Sequence, residues 1–184
     1  MIRLTFWILG ALLLGGIVHL STVLAMPQAA TQDAYSRLAR VVPVNKVLPL
    51  AAPTGQDPIM PFMDPAFAVS VCRYDLSQGP LKFSTPVSQA YTSVTFYTRK
   101  SVAYYAINDR AAGRRTIELD LMTLQQRSQM PPQEDVTAAD RLIIEAPTTT
   151  GLIVVRAFAP EPSLMATARR IVADARCRVE PLPQ

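Results

Sequence analysis

The alternation of apolar and polar positions divides the chain into three stretches. From Leu4 to Gln32 no side chain is charged, and Phe6 to Met26 is almost wholly apolar apart from His19, Ser21 and Thr22. About 20 helical residues span the roughly 30 Å hydrocarbon layer of a bilayer, where backbone groups must be satisfied internally. The stretch therefore predicts one transmembrane helix, with Pro27 as its stop. A cleaved secretory signal is the rival, with Val23-Leu24-Ala25 as its cleavage site. Against it, the apolar core is longer than the usual 7 to 15 or so residues of a signal, and the basic segment before it is Arg3 alone.

The middle stretch begins with a short amphipathic helix predicted over Thr31 to Arg40. Tyr35, Leu38 and Ala39 share one face of it, Asp33 suits its first turn, and Pro43 closes it. Val44 to Pro65 is proline-rich, which excludes a helix or a central strand. Its apolar members, among them Leu48, Leu50, Met60 and Phe62, argue against a free linker. The segment reads as an extended arm packed along a domain, with one edge strand at most.

From Ala66 the period becomes two. Phe67, Val69 and Val71 alternate with small residues, and strands follow at Leu81 to Ser84, Tyr91 to Thr98, Val102 to Ile107 and Thr116 to Leu121. Met122 to Gln129 reads as a helical turn ended by Pro131-Pro132. Leu142 to Ala146 and Leu152 to Phe158 flank Thr148 to Gly151 as a further hairpin. Pro162 to Ala175 returns to helical spacing, with Leu164, Ala168, Ile171, Val172 and Ala175 on one face. The prediction is a mainly β chain: an antiparallel β-sandwich or barrel-like domain with a C-terminal helix, preceded by one transmembrane helix. Its parts are an anchor over 1–27, a juxtamembrane helix and proline-rich arm over 28–65, and the β-rich domain over 66–184.

Composition adds two constraints. The formal net charge is +4, and the basic pairs Arg114-Arg115 and Arg169-Arg170 are not the clustered runs of a nucleic-acid face, so no nucleic-acid partner is expected. Arg37, Arg40 and Lys46 follow the span, so the positive-inside count does not favour export of the domain. Cys72 and Cys177, the two cysteines, lack zinc-ribbon or thioredoxin spacing. They are consistent with one disulfide in an oxidising compartment, which would set the domain outside the cytoplasm; two unrelated buried thiols are the alternative.

Candidate chemistry is sparse. The sole histidine, His19, lies in the span, so a Ser-His-Asp or Cys-His set cannot be built in the domain. Asp64, Asp75 and Asp109 are candidate polar groups, yet all sit in turn-like contexts where aspartate bonds the backbone. Tyr91, Phe96, Tyr97, Tyr104 and Tyr105 would either line a small apolar pocket or pack as core. A cavity near Asp64, Asp75 and Asp109, lined by Tyr97 and Tyr105, is the candidate site. No phosphate loop, dinucleotide fingerprint or metal-spaced cluster is present, and no cofactor is expected.

The stretches Pro61 to Phe67, Val71 to Leu76, Tyr105 to Arg110 and Val155 to Pro162, with Ala175-Arg176-Cys177 behind them, resemble short, membrane-anchored members of the bacterial domain-of-unknown-function 1254 family. The resemblance covers roughly Asp33 to Cys177. It implies a single-pass protein of the bacterial inner membrane with a β-rich domain in the periplasm. Larger members carry a second uncharacterised domain, that of family 1214, after this one. The present sequence ends at Gln184, so a separately encoded protein with that companion domain is the expected partner, beside the lipid bilayer. The family brings no catalytic residues. Two functions are therefore expected: a non-enzymatic docking or assembly module or, as the alternative, a small-ligand-binding or enzymatic β-domain.

Overall fold

The uncharged N-terminal stretch forms one helix, α1 (Ile2–Ala29). The structure is a computed structural model and describes residues 2–29, 33–52, 59–60, 62–112, 115–129 and 142–180. Within α1, the 25 residues Ile2–Met26 have mean hydropathy 2.1, long and apolar enough to cross a membrane. Thr22 donates its hydroxyl to the Val18 carbonyl at 2.8 Å, so this polar group is satisfied inside the apolar run. Pro27 does not stop the helix as expected. Proline lacks a backbone N–H and so forgoes one helical bond, and the helix continues to Ala29. The expected openers Thr31 and Gln32, the prolines at 53, 58 and 61, Gly113, and Pro131-Pro132 lie outside the described residues.

From Ala34 the described residues form a second compact unit. It opens with α2 (Ala34–Ala39), followed by β1 (Val47–Pro49), β2 (Phe67–Asp75), β3 (Leu81–Pro86), β4 (Thr92–Thr98) and β5 (Ala103–Asn108). Then come the single turn α3 (Asp109–Ala112), β6 (Thr116–Met122), α4 (Leu124–Ser128), β7 (Leu142–Glu145), β8 (Thr150–Phe158), α5 (Met165–Ala173) and β9 (Arg176–Val179). The strands make a five-stranded sheet, ordered β1-β2-β8-β4-β5, and a four-stranded sheet, ordered β7-β6-β3-β9. The fold is a sandwich rather than a barrel.

Alternation explains the interior. Cys72, Tyr74, Val94, Phe96, Ile153 and Val155 point inward from the first sheet and are buried, and Leu81, Phe83, Leu119 and Leu121 meet them from the second. Phe83 and Phe96 touch edge to face across the gap, with ring centroids 6.3 Å apart. Each such side chain contributes roughly 2–3 kcal/mol of burial. The disulfide joins Cys72 in β2 to Cys177 in β9 with Cα atoms 6.5 Å apart, so it ties one sheet to the other through this core. Helix α5 packs Ala168 and Val172 against β2 and β8.

Two expectations are corrected. Leu142 to Ala146 and Leu152 to Phe158 do not form a hairpin: β7 pairs parallel with β6, whereas β8 lies between β2 and β4. The connecting threonines cross from one sheet to the other, held by Leu76 N–H to Thr149 O at 2.9 Å, and alternation looks the same whether neighbouring strands pair or part. Strand β9 was not expected. It is four residues long, directly follows the helical pattern, and pairs with β3.

Candidate functional site

The outer face of the five-stranded sheet is also apolar. Val69 and Val71 of β2 lie beside Leu152 and Val154 of β8, and Tyr97 of β4 continues the row. Over them pack Tyr35 and Leu38 of α2 together with Val42, making a second hydrophobic cluster separate from the interior. The helix sits there because its apolar face is the one read from the sequence: Tyr35 and Leu38 are buried. Arg99 closes over the Tyr35 ring at 5.0 Å, a cation–π contact that caps the cluster.

The proline-rich arm is fastened to the same sheet. Asn45 takes φ 56°, a left-handed conformation that asparagine tolerates, and its side chain bonds both ways with the end of β2. Its Nδ2 donates to Asp75 O at 3.0 Å, and Asp75 N–H donates to its Oδ1 at 2.8 Å. Leu48 and Leu50 then run along β2, with Leu50 N–H donating to Val69 O at 2.9 Å. Between the arm, α2 and the sheet lies an open groove of about 480 Å³, walled by Leu38, Leu50, Met60, Val69, Leu152 and Val154. That volume is in the range of small-molecule sites.

The five candidate residues are divided. Asp64 and Tyr97 line this groove, and Asp75, Tyr105 and Asp109 do not. Asp64 Oδ1 accepts from Ala66 N–H at 2.9 Å, Asp75 Oδ1 from Ser77 N–H at 2.9 Å, and Asp109 Oδ1 from Thr92 N–H at 3.3 Å. Each carboxylate is thus engaged with local or neighbouring backbone. Tyr105 packs on Phe96 at 5.9 Å on the inner face. The regular register sets Tyr105 opposite Phe96, and a β-bulge at Phe96/Tyr97 adds Tyr104 as an extra residue, so both tyrosines pack on Phe96.

Tyr104 meets Tyr74 at this end of the core, with hydroxyls 3.1 Å apart, and Tyr74 also donates to Tyr97 O at 3.4 Å. Burial pushes both phenols above their ordinary range, so they stay protonated and act as hydrogen-bonding groups, not bases. Gly151 makes room for them, because a Cβ there would lie 2.2 Å from Tyr97 O and 2.4 Å from the Tyr74 hydroxyl. Among the described residues no group of three or more His, Cys, Asp or Glu could hold a metal ion.

Arg156 and Ser101, which line opposite ends of the groove, are not among the residues expected from the sequence. The available signal was that the middles of β2 and β8 carry apolar residues on both faces, the pattern of a sheet covered on both sides. The outer face of the four-stranded sheet is different: Lys82, Ser84, Glu118, Asp120, Arg176 and Arg178 line a polar depression of about 420 Å³.

The family model described as "Protein of unknown function (DUF1254)" matches residues 44–179. A crystal structure of a Vibrio parahaemolyticus protein is similar at TM-score 0.57 and 13% identity, over 82% of this chain and 38% of that one. An uncharacterised protein from Burkholderia cenocepacia gives TM-score 0.46 and 17% identity, over 76% of this chain and 36% of its own, too distant to support an argument. The chain thus spans well under half the length of these solved relatives, and the likeness establishes fold alone. Among curated proteins none matches the sequence significantly.

Proposed function

The chain belongs to the DUF1254 family of uncharacterised proteins, and from that premise we propose that it is a single-span protein of the bacterial inner membrane whose periplasmic domain is a non-enzymatic binding module. The observation that carries this reading is the apolar groove on the outer face of the five-stranded sheet. A sheet with a packed interior has no structural need for a second apolar face, and this one is only partly covered by the arm and α2. The length of Ile2–Met26 supports the anchor, and the Cys72–Cys177 bond supports an oxidising compartment.

Docking of a protein partner, such as one carrying the family's companion domain, is the second reading. The bare charged face with Lys82, Glu118, Arg176 and Arg178 favours it, since charge complementarity there would set orientation and partner choice. The experiment is extraction of the full chain from its membranes, followed by mass analysis of the N-terminus and of co-purifying small molecules. The expected result is a chain that resists alkaline carbonate, retains Phe6 to Met26, and carries an apolar compound that Val154→Trp removes. A mature chain starting at Met26, or a compound retained by the Trp variant, would refute the proposal.

A further inference from the structure

Resting on that binding reading, we infer that the groove takes one acyl chain of an anionic membrane lipid, with Arg156 meeting the headgroup charge. Asp64 and Arg156 are the charged residues among those lining the groove. Asp64 is engaged in its turn with Ala66 N–H. Arg156 stands on the outer face between Val69 of β2 and Ser93 of β4, and its side chain makes no ion pair or hydrogen bond with any described residue. A guanidinium next to valines is matched by a ligand whose body is apolar and whose end is an oxyanion, because Arg presents a planar fork of donors to carboxylate or phosphate.

A further feature points to the same chemistry. Phe62, which also lines the groove, is fully exposed and holds φ 60°, a strained conformation for a residue other than glycine. It forms an apolar lip that a lipid chain would cover. The proposed tether supplies the source, since a domain held at a bilayer meets lipid at high effective concentration.

The test uses the full chain in phosphatidylethanolamine vesicles carrying a trace of phosphatidylglycerol with a diazirine at the end of one chain. A parallel arm carries the same trace of diazirine-tailed diacylglycerol, which has the chains without the phosphate. After photolysis, peptides are mapped by mass spectrometry. The anionic probe should label the Val69 to Val71 and Leu152 to Arg156 segments about tenfold more than the uncharged one. Arg156→Gln should lower that labelling about tenfold, the factor expected of one charge-assisted hydrogen bond. Arg156 is exposed, and an intact disulfide in the variant reports that it is folded. Equal labelling by both probes would overturn the headgroup assignment and leave groove binding standing. Label confined to residues 2–29, or groove label that persists in Val154→Trp, would overturn both.

Discussion

On the outer face of the four-stranded sheet, β3 presents Lys82 and Ser84, β6 presents Glu118, and β9 presents Arg176 and Arg178. At the corresponding positions of the five-stranded sheet, β2 and β8 present Val69, Val71, Leu152 and Val154. Both sheets obey the same alternation and share one interior. One outer face is written for water, and the other for contact with something apolar. Part of that contact is internal, made by Tyr35 and Leu38 of α2, and part is left open as the groove. Substitutions on the two outer faces should therefore have separable effects.

The largest effect should come from the bond that serves both faces at once. The Cys72–Cys177 disulfide closes a separation of 105 residues, for which the chain-entropy account gives roughly 4–5 kcal/mol as an upper figure. Cys72→Ala with Cys177→Ala should lower stability by about 3 kcal/mol in urea denaturation of the detergent-solubilised chain. Loss below about 1 kcal/mol would mean that the sheets are held together without it.

Leu38→Ala sharpens the comparison by touching only the cover of the apolar face. Leu38 is 2% exposed, and truncation should cost about 2–4 kcal/mol, with faster hydrogen exchange along β2 and β8 than along β3 and β6. Uniform acceleration in both sheets would erase the distinction.

Alkaline pH acts inside the sandwich and should spare both faces. Burial raises the pKa of Tyr74 and Tyr104 above 10.0, so the folded state favours the neutral phenols. A raised pKa contributes stability that is fully present below the unfolded value and is lost as pH climbs past it towards the folded one. The urea midpoint should therefore stay level to about pH 9 and fall above about pH 10, less steeply in Tyr104→Phe. The smallest effect belongs to the water-facing side. Lys82→Ala removes an exposed ion pair with Glu180 and should change stability by no more than about 0.5 kcal/mol.

Much of this architecture was readable from period and composition. The uncharged run, the face of α2, the arm with its edge strand and most strands all follow from local rules. The rest depended on partners distant in sequence. Alternation cannot say that β7 joins β6 while β8 joins β2, because each strand has the same inward side in either arrangement. Tyr97 and Tyr105 do not line one pocket, because Tyr105 pairs with inward-facing Phe96, a partner that alternation within one strand does not reveal. Asp75 and Asp109 followed the turn chemistry their contexts suggested. Arg156 drew no attention because one arginine in a strand reads as an ordinary solvent-facing residue; its apolar setting is created by β2, α2 and the arm together.

In the membrane, the open side of the five-stranded sheet should be occupied and the charged side should not. Carbene footprinting of the full chain addresses it, comparing native membranes with protein stripped of bound lipid by detergent washing. The prediction is a rise in labelling on stripping at Leu50, Phe62, Val69 and Val154, with Lys82, Ser84, Glu118 and Arg178 unchanged. Unchanged labelling at the valines, or an equal rise on both faces, would contradict it.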